Sequence, residues 1–252
     1  MPLSPSFSSS VNIVRDADRA LIYHPTTNTR RIVTQVLADY ETGLRAFTLI
    51  GSYGTGKSAF LWALEQHLTG RQPYFGEARF AEASGPIEVV QLVGEYRSLA
   101  QVLAERYGLP ATTAPAAILE ALYYQHRAAL TKGRLVLLFD EFGKFLEHAA
   151  EHEPGAALYF MQALAEFVAD PRHNALLLTT VHQNFDAYAF GLSQPQRQEW
   201  SKVKGRFREI TFNEPVAQLL RLAATHMPPT RQSADADALV MQTAELTARS
   251  RA

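Results

Sequence analysis

Eight residues, Gly51-Ser52-Tyr53-Gly54-Thr55-Gly56-Lys57-Ser58, fit the spacing G-x-x-x-x-G-K-[ST] directly after the apolar run Ala46–Ile50. That spacing suits phosphate chemistry. Glycines let a loop turn its backbone N–H groups inward around phosphate oxygens, some at positive φ, and a helix starting behind the loop adds partial positive charge. Lys57 then bridges the outer phosphates, and Ser58 gives its hydroxyl to Mg²⁺, a hard cation that favours oxygen ligands together with phosphate. The candidate nucleotide-binding set is Gly51, Ser52, Tyr53, Gly54, Thr55, Gly56, Lys57, Ser58 and Ala59.

Leu135-Val136-Leu137-Leu138-Phe139 runs straight into Asp140-Glu141. An apolar strand ending in two adjacent carboxylates delivers them where open parallel sheets bind ligands. Together with the glycine loop this reads as a Walker B element. Asp140 holds hydrated Mg²⁺, and Glu141 orients and activates the water that attacks the γ-phosphate. A water-activating Glu beside the metal Asp favours hydrolysis over transfer to a metabolite. No Asn-Lys-x-Asp guanine-reading segment and no Leu-Ser-Gly-Gly transporter signature is present. Downstream, Ala175–Thr180 opens into Val181-His182-Gln183-Asn184. A polar side chain there can sense the γ-phosphate or position the water. Thr180, His182 and Gln183 are all candidates, and Thr180 joins Glu141 and Lys57 in the candidate catalytic set.

Residues 196–209 carry a local surplus of +3, with Arg206 just ahead of a last apolar strand. There Arg206 could reach a neighbouring subunit's γ-phosphate as an arginine finger, stabilising charge on the transferring group. A solvated basic loop or a salt-bridged edge is the bland alternative. His148-Ala149-Ala150-Glu151-His152 matches the H-x-x-E-H zinc motif, but a solvated helix face behind the Asp-Glu strand is the better reading. Trp62 reads as core, while Trp200 fits either a subunit interface or a covered edge.

These residues must be carried by a regular scaffold. Strands are expected at Ala46–Ile50, Ile87–Val93, Leu135–Phe139, Ala175–Thr180 and Glu209–Phe212, most of them apolar on consecutive positions as strands buried on both faces are. Helices are expected over Ser58–Leu68, around Leu99–Leu103, through Ile118, Leu122 and Leu130, and through Leu158–Val168. Asn213 with Pro215 starts another, to about Met227, and a last one covers about Ala234–Ala248. The alternation predicts an α/β fold. With 252 residues, 47% apolar, 19% charged and a net charge of −1, the chain suits an ordinary globule and excludes a wholesale polybasic nucleic-acid binder. The absence of cysteine excludes disulfide scaffolds, thiolate metal sites and cysteine nucleophiles, and fits a cytoplasmic setting. The longest strongly apolar run, Leu135–Phe139, is far short of a membrane span.

The glycine loop, the Asp-Glu strand, the polar-tipped fourth strand and Gly205-Arg206-Phe207 before the fifth resemble AAA+ ATPases of the origin-recognition branch, over about residues 21–227. The resemblance implies a three-layer αβα P-loop fold with a five-stranded parallel sheet in the order 5-1-4-3-2 and a short or truncated helical lid. It implies an ATPase core over 21–212 and a partial lid over 213–252, while the Ser and Pro cluster within Met1–Asn12 reads as part of a loose tail over 1–20. It also implies ATP and Mg²⁺ as cofactors, sites shared within a homo-oligomer or ring, other protein subunits as partners, and Tyr23-His24-Pro25 flanking the adenine. Nucleic acid enters through the assembly and no membrane is involved. Residues 140–147 and 199–207 are similar to ATPases of bacterial anti-phage systems such as bacteriophage exclusion, which implies a role in antiviral defence.

Overall fold

Arg134–Asp140 is buried along its whole length, and its alternate residues face two different cores. Leu135, Leu137 and Phe139 join one cluster, Val136 and Leu138 the other. An uninterrupted apolar strand is what a sheet covered on both faces requires. The computed structural model describes residue 8 and residues 10–81, 85–152 and 154–214.

Within these residues the elements are α1 (Thr27–Glu41), β1 (Ala46–Ile50), α2 (Lys57–Leu68), β2 (Ile87–Val93), α3 (Leu99–Arg106), α4 (Pro115–Gln125), α5 (Arg127–Lys132), β3 (Arg134–Asp140), α6 (Gly143–Glu151), α7 (Pro154–Ala169), β4 (Ala175–Val181), α8 (Phe185–Tyr188), α9 (Gln194–Lys204) and β5 (Arg208–Thr211). All four strand pairings are parallel, in the order β2-β3-β4-β1-β5, which is the expected 5-1-4-3-2 read from the other edge. Helices α1 and α2 pack with one core and α3, α4, α6 and α7 with the other, giving the three αβα layers. Truncating a fully buried leucine such as Leu138 at the sheet centre costs about 2–5 kcal/mol.

Helix α1 went unrecognised in the sequence. Its N-terminus is set by a reciprocal pair, with Thr29 N–H donating to Thr26 Oγ1 at 3.0 Å and Thr26 N–H to Thr29 Oγ1 at 2.8 Å. A threonine here takes the place of the usual Glu or Gln in a capping box, so the sequence signal is weak. The single helix expected through Ile118, Leu122 and Leu130 is two, because His126 ends α4 and begins α5 outside helical geometry. Residues 10–20, expected within a loose tail, are held against α2. Ile13 is fully buried, the Trp62 indole donates to the Asp16 carbonyl at 3.1 Å, and Asp16 gathers Asn12 N–H, Arg15 and Arg19. The lid expected over 213–252, with its two helices, lies outside the described residues save for Asn213 and Glu214.

Candidate functional site

The polar tips of the central strands are what the glycine loop faces. β1 feeds the loop, β3 ends in Asp140 and β4 carries Thr180, all at C-terminal ends of the parallel sheet. Together with residues 21–24 on one side they line a cavity of about 700 Å³.

The loop's conformation explains its glycines. Gly54 and Gly56 sit at φ 76° and 88°, the left-handed region where a Cβ is strained. Gly51 is needed for a different reason, since a Cβ there would lie 2.4 Å from the Phe212 carbonyl oxygen behind β5. Lys57 opens α2 and donates to the loop's own carbonyls, Gly51 at 2.5 Å and Ser52 at 2.9 Å. Burial pulls its ammonium pKa down, and Asp140 and Glu141 oppose that shift. A partly desolvated cation at a helix N-terminus is suited to an anionic ligand. Ser58 and Tyr53 also line the cavity.

Asp140 is almost fully buried and anchored rather than free. Thr180 Oγ1 donates to its Oδ1 at 2.6 Å, and Glu141 N–H donates to the same oxygen at 3.1 Å and to Thr180 Oγ1 at 3.0 Å. Thr180 thus holds the Asp140 carboxylate and the Glu141 backbone amide with one hydroxyl. Glu141 has φ 50°, the one positive value for a non-glycine among the described residues. Phe142 N–H donates to the Thr180 carbonyl at 2.8 Å and Gly94 N–H to the Asp140 carbonyl at 2.7 Å, which locks the turn from both flanks. The Glu141 carboxylate meets Lys144, on the first turn of α6, at 2.7 Å.

His182, just past β4, is held among aromatic neighbours. Its ring stacks on Tyr53 at 4.9 Å, its Nδ1 lies 3.2 Å from the Tyr188 hydroxyl, and its Nε2 lies 3.8 Å from Glu147. Gly143 leaves room for that tyrosine, because a Cβ would come within 2.2 Å of its hydroxyl oxygen. Arg206 does not line the cavity. It is paired with Glu166 of α7 and donates to the Lys202 carbonyl at 3.0 Å. Trp200 is buried and its indole donates to the Phe185 carbonyl at 2.8 Å, so it is core and not an interface residue. His148 and His152 stack on each other at 4.5 Å. Among the described residues no three His, Asp or Glu side chains are placed to hold a metal by themselves. Ser58 and Asp140 line the same cavity, an oxygen-only pair whose chemistry fits Mg²⁺ completed by water and substrate phosphate.

No family model and no curated protein matches the sequence. Solved structures do match. The Aeropyrum pernix ORC2 protein, solved in ADPNP-ADP complexes, shares 15% identity at a TM-score of 0.53, over 83% of this chain and 54% of that one. The chain shares the three-layer αβα P-loop fold of that protein. Two further structures that match are Caenorhabditis elegans PCH-2, at 16% identity, TM-score 0.45 and 80% and 47% coverage, and the Escherichia coli MS115-1 HORMA:CdnC:Trip13 complex, at 14%, 0.47, 92% and 74%. The chain spans about half the length of the first structure that it matches.

Four residues that line this cavity were not singled out in the sequence. Lys144 sits three residues beyond Glu141, an i,i+3 spacing that a charge-pattern search can detect. Leu21, Ile22 and Phe212 close the cavity from segments far apart in the chain, and no local pattern marks them.

Proposed function

We propose that this chain is an Mg²⁺-dependent ATPase module that works in an oligomer with shared sites and powers or gates a larger assembly. The observation that supports this most directly is the convergence of Lys57, Ser58, Asp140 and Glu141 on one cavity behind a loop with two left-handed glycines. The loop N–H groups and Lys57 bind the phosphates, while Tyr23 and His24 line the side of the cavity suited to the base. Ser58 and Asp140 hold Mg²⁺, which supplies charge neutralisation at the phosphates. Glu141 accepts a proton from the attacking water as the new P–O bond forms. The γ-phosphoryl bond to ADP then breaks with its electron pair on the leaving oxygen. Arg206, outside its own cavity, serves a neighbour's site. The similarity of residues 140–147 and 199–207 to anti-phage ATPases supports a nucleic-acid-directed, antiviral assembly.

A second reading, an ATP-dependent switch with little turnover of its own, is favoured by two contacts: Lys144 engages Glu141, and Glu166 engages Arg206. Calorimetric titration of ATP with Mg²⁺, followed by phosphate release with and without partner proteins, separates the two. Binding that vanishes in Lys57→Ala is expected. Unchanged binding and turnover in that variant would end both readings.

A further inference from the structure

Resting on the nucleotide reading above, we infer that Lys144 is a second cation of the phosphate site, which holds Glu141 while no triphosphate is bound and moves to the terminal phosphate when one is. The geometry carries this. Lys144 lines the same cavity as Lys57, Ser58 and Asp140, and its Nζ lies 2.7 Å from Glu141 Oε2. Both side chains keep over 40% of their surface exposed, 44% for Lys144 and 41% for Glu141, so the pair is a weak one in water. The Glu141 carboxylate, and more weakly Glu147, favours the charged form of the same ammonium.

The separation needs no backbone movement. The Glu141 amide is pinned by Asp140 and Thr180, and Lys144 N–H is fixed on the Glu141 carbonyl at 3.0 Å. Only side-chain torsions have to change, and the flexible four-carbon stem of lysine supplies them. A terminal phosphate carries more charge than one carboxylate, so the exchange favours the phosphate. A diphosphate leaves that position empty and Lys144 stays on Glu141. The residue thereby reads the number of phosphates, and it leaves the Glu141 carboxylate free to take a proton only when there is something to hydrolyse.

The test is calorimetry of the full chain with Mg²⁺ and either a non-hydrolysable ATP analogue or ADP. Lys144→Gln is expected to weaken the analogue about 10-fold while leaving ADP within about 2-fold, and Lys144→Arg to recover most of the loss. A Lys144→Gln protein with the wild-type ratio of the two affinities, or one weakened equally for both, overturns the inference while the nucleotide reading stands. Wild-type protein that binds neither ligand overturns the nucleotide reading itself.

Discussion

Glu141 pays for its place with a left-handed backbone, a conformation that costs a non-glycine residue about 1–3 kcal/mol. Three backbone hydrogen bonds around it and the Thr180 hydroxyl hold the turn. Glu141→Gln is expected to keep ATP binding and to lower phosphate release about 10²–10⁴-fold, because an amide cannot take up the water's proton. Thr180→Val keeps the shape but removes a hydroxyl bonded to a buried carboxylate. Denaturant unfolding should show a loss of about 1.5–3 kcal/mol, and unchanged stability would show that the hydroxyl is dispensable. At this scale the sequence was legible wherever chemistry lies in neighbouring residues, as in Gly51–Ser58 and Asp140-Glu141. It was silent on Glu166 as the partner of Arg206, since 40 residues separate them and only packing brings them together.

Among the elements, the end of β2 sets how closely the Asp140-Glu141 turn can approach. A Cβ on Gly94 would stand 2.0 Å from the Glu141 carbonyl oxygen, a backbone atom that cannot yield like a side chain. Gly94→Ala should destabilise by about 1–3 kcal/mol in thermal unfolding. Gly155→Ala, in α7 with open space around the added methyl, should instead raise stability by about 0.5–1 kcal/mol. The turn at residues 12–19 makes a prediction about pH. The guanidinium of Arg15 and the Asn12 amide hold the Asp16 carboxyl well below the usual carboxylate range. A depressed pKa contributes stability that is complete above about pH 4, where the unfolded carboxyl is ionised, and is lost as the pH falls further. Acid titration followed by Trp62 fluorescence in a Trp200→Phe background should report release of this turn, and Asp16→Asn should remove the transition. Strands β1, β3 and β4 were readable because both faces are buried and their apolar residues are largely consecutive. Helix α1 was not, because its threonine cap and β-branched stripe, Ile32, Val33 and Val36, suit a strand as well as a helix.

For the molecule as a whole, the sheet order leaves β2 and β5 at the two edges and gathers β3, β4 and β1 behind the cavity. Arg206, at the β5 end, lies outside the cavity of its own chain. Arg206→Ala is expected to bind ATP normally and to lose about 10³-fold or more of the turnover seen in the oligomer, with no effect on a dilute monomer. Molecular mass in solution should rise with ATP and Mg²⁺ in the wild type. A mass that stays monomeric under every nucleotide condition would rule out shared sites.

The Arg206–Glu166 contact then bears on how copies join. On the proposed reading, a guanidinium already engaged at home must leave one acid to serve the neighbour's triphosphate, so each new junction swaps an attachment instead of adding one. The swap favours the triphosphate, which carries more charge than one carboxylate. Whether a ring closes or falls apart is then left to the charge of the nucleotide between its members, which makes spent fuel a natural signal for disassembly.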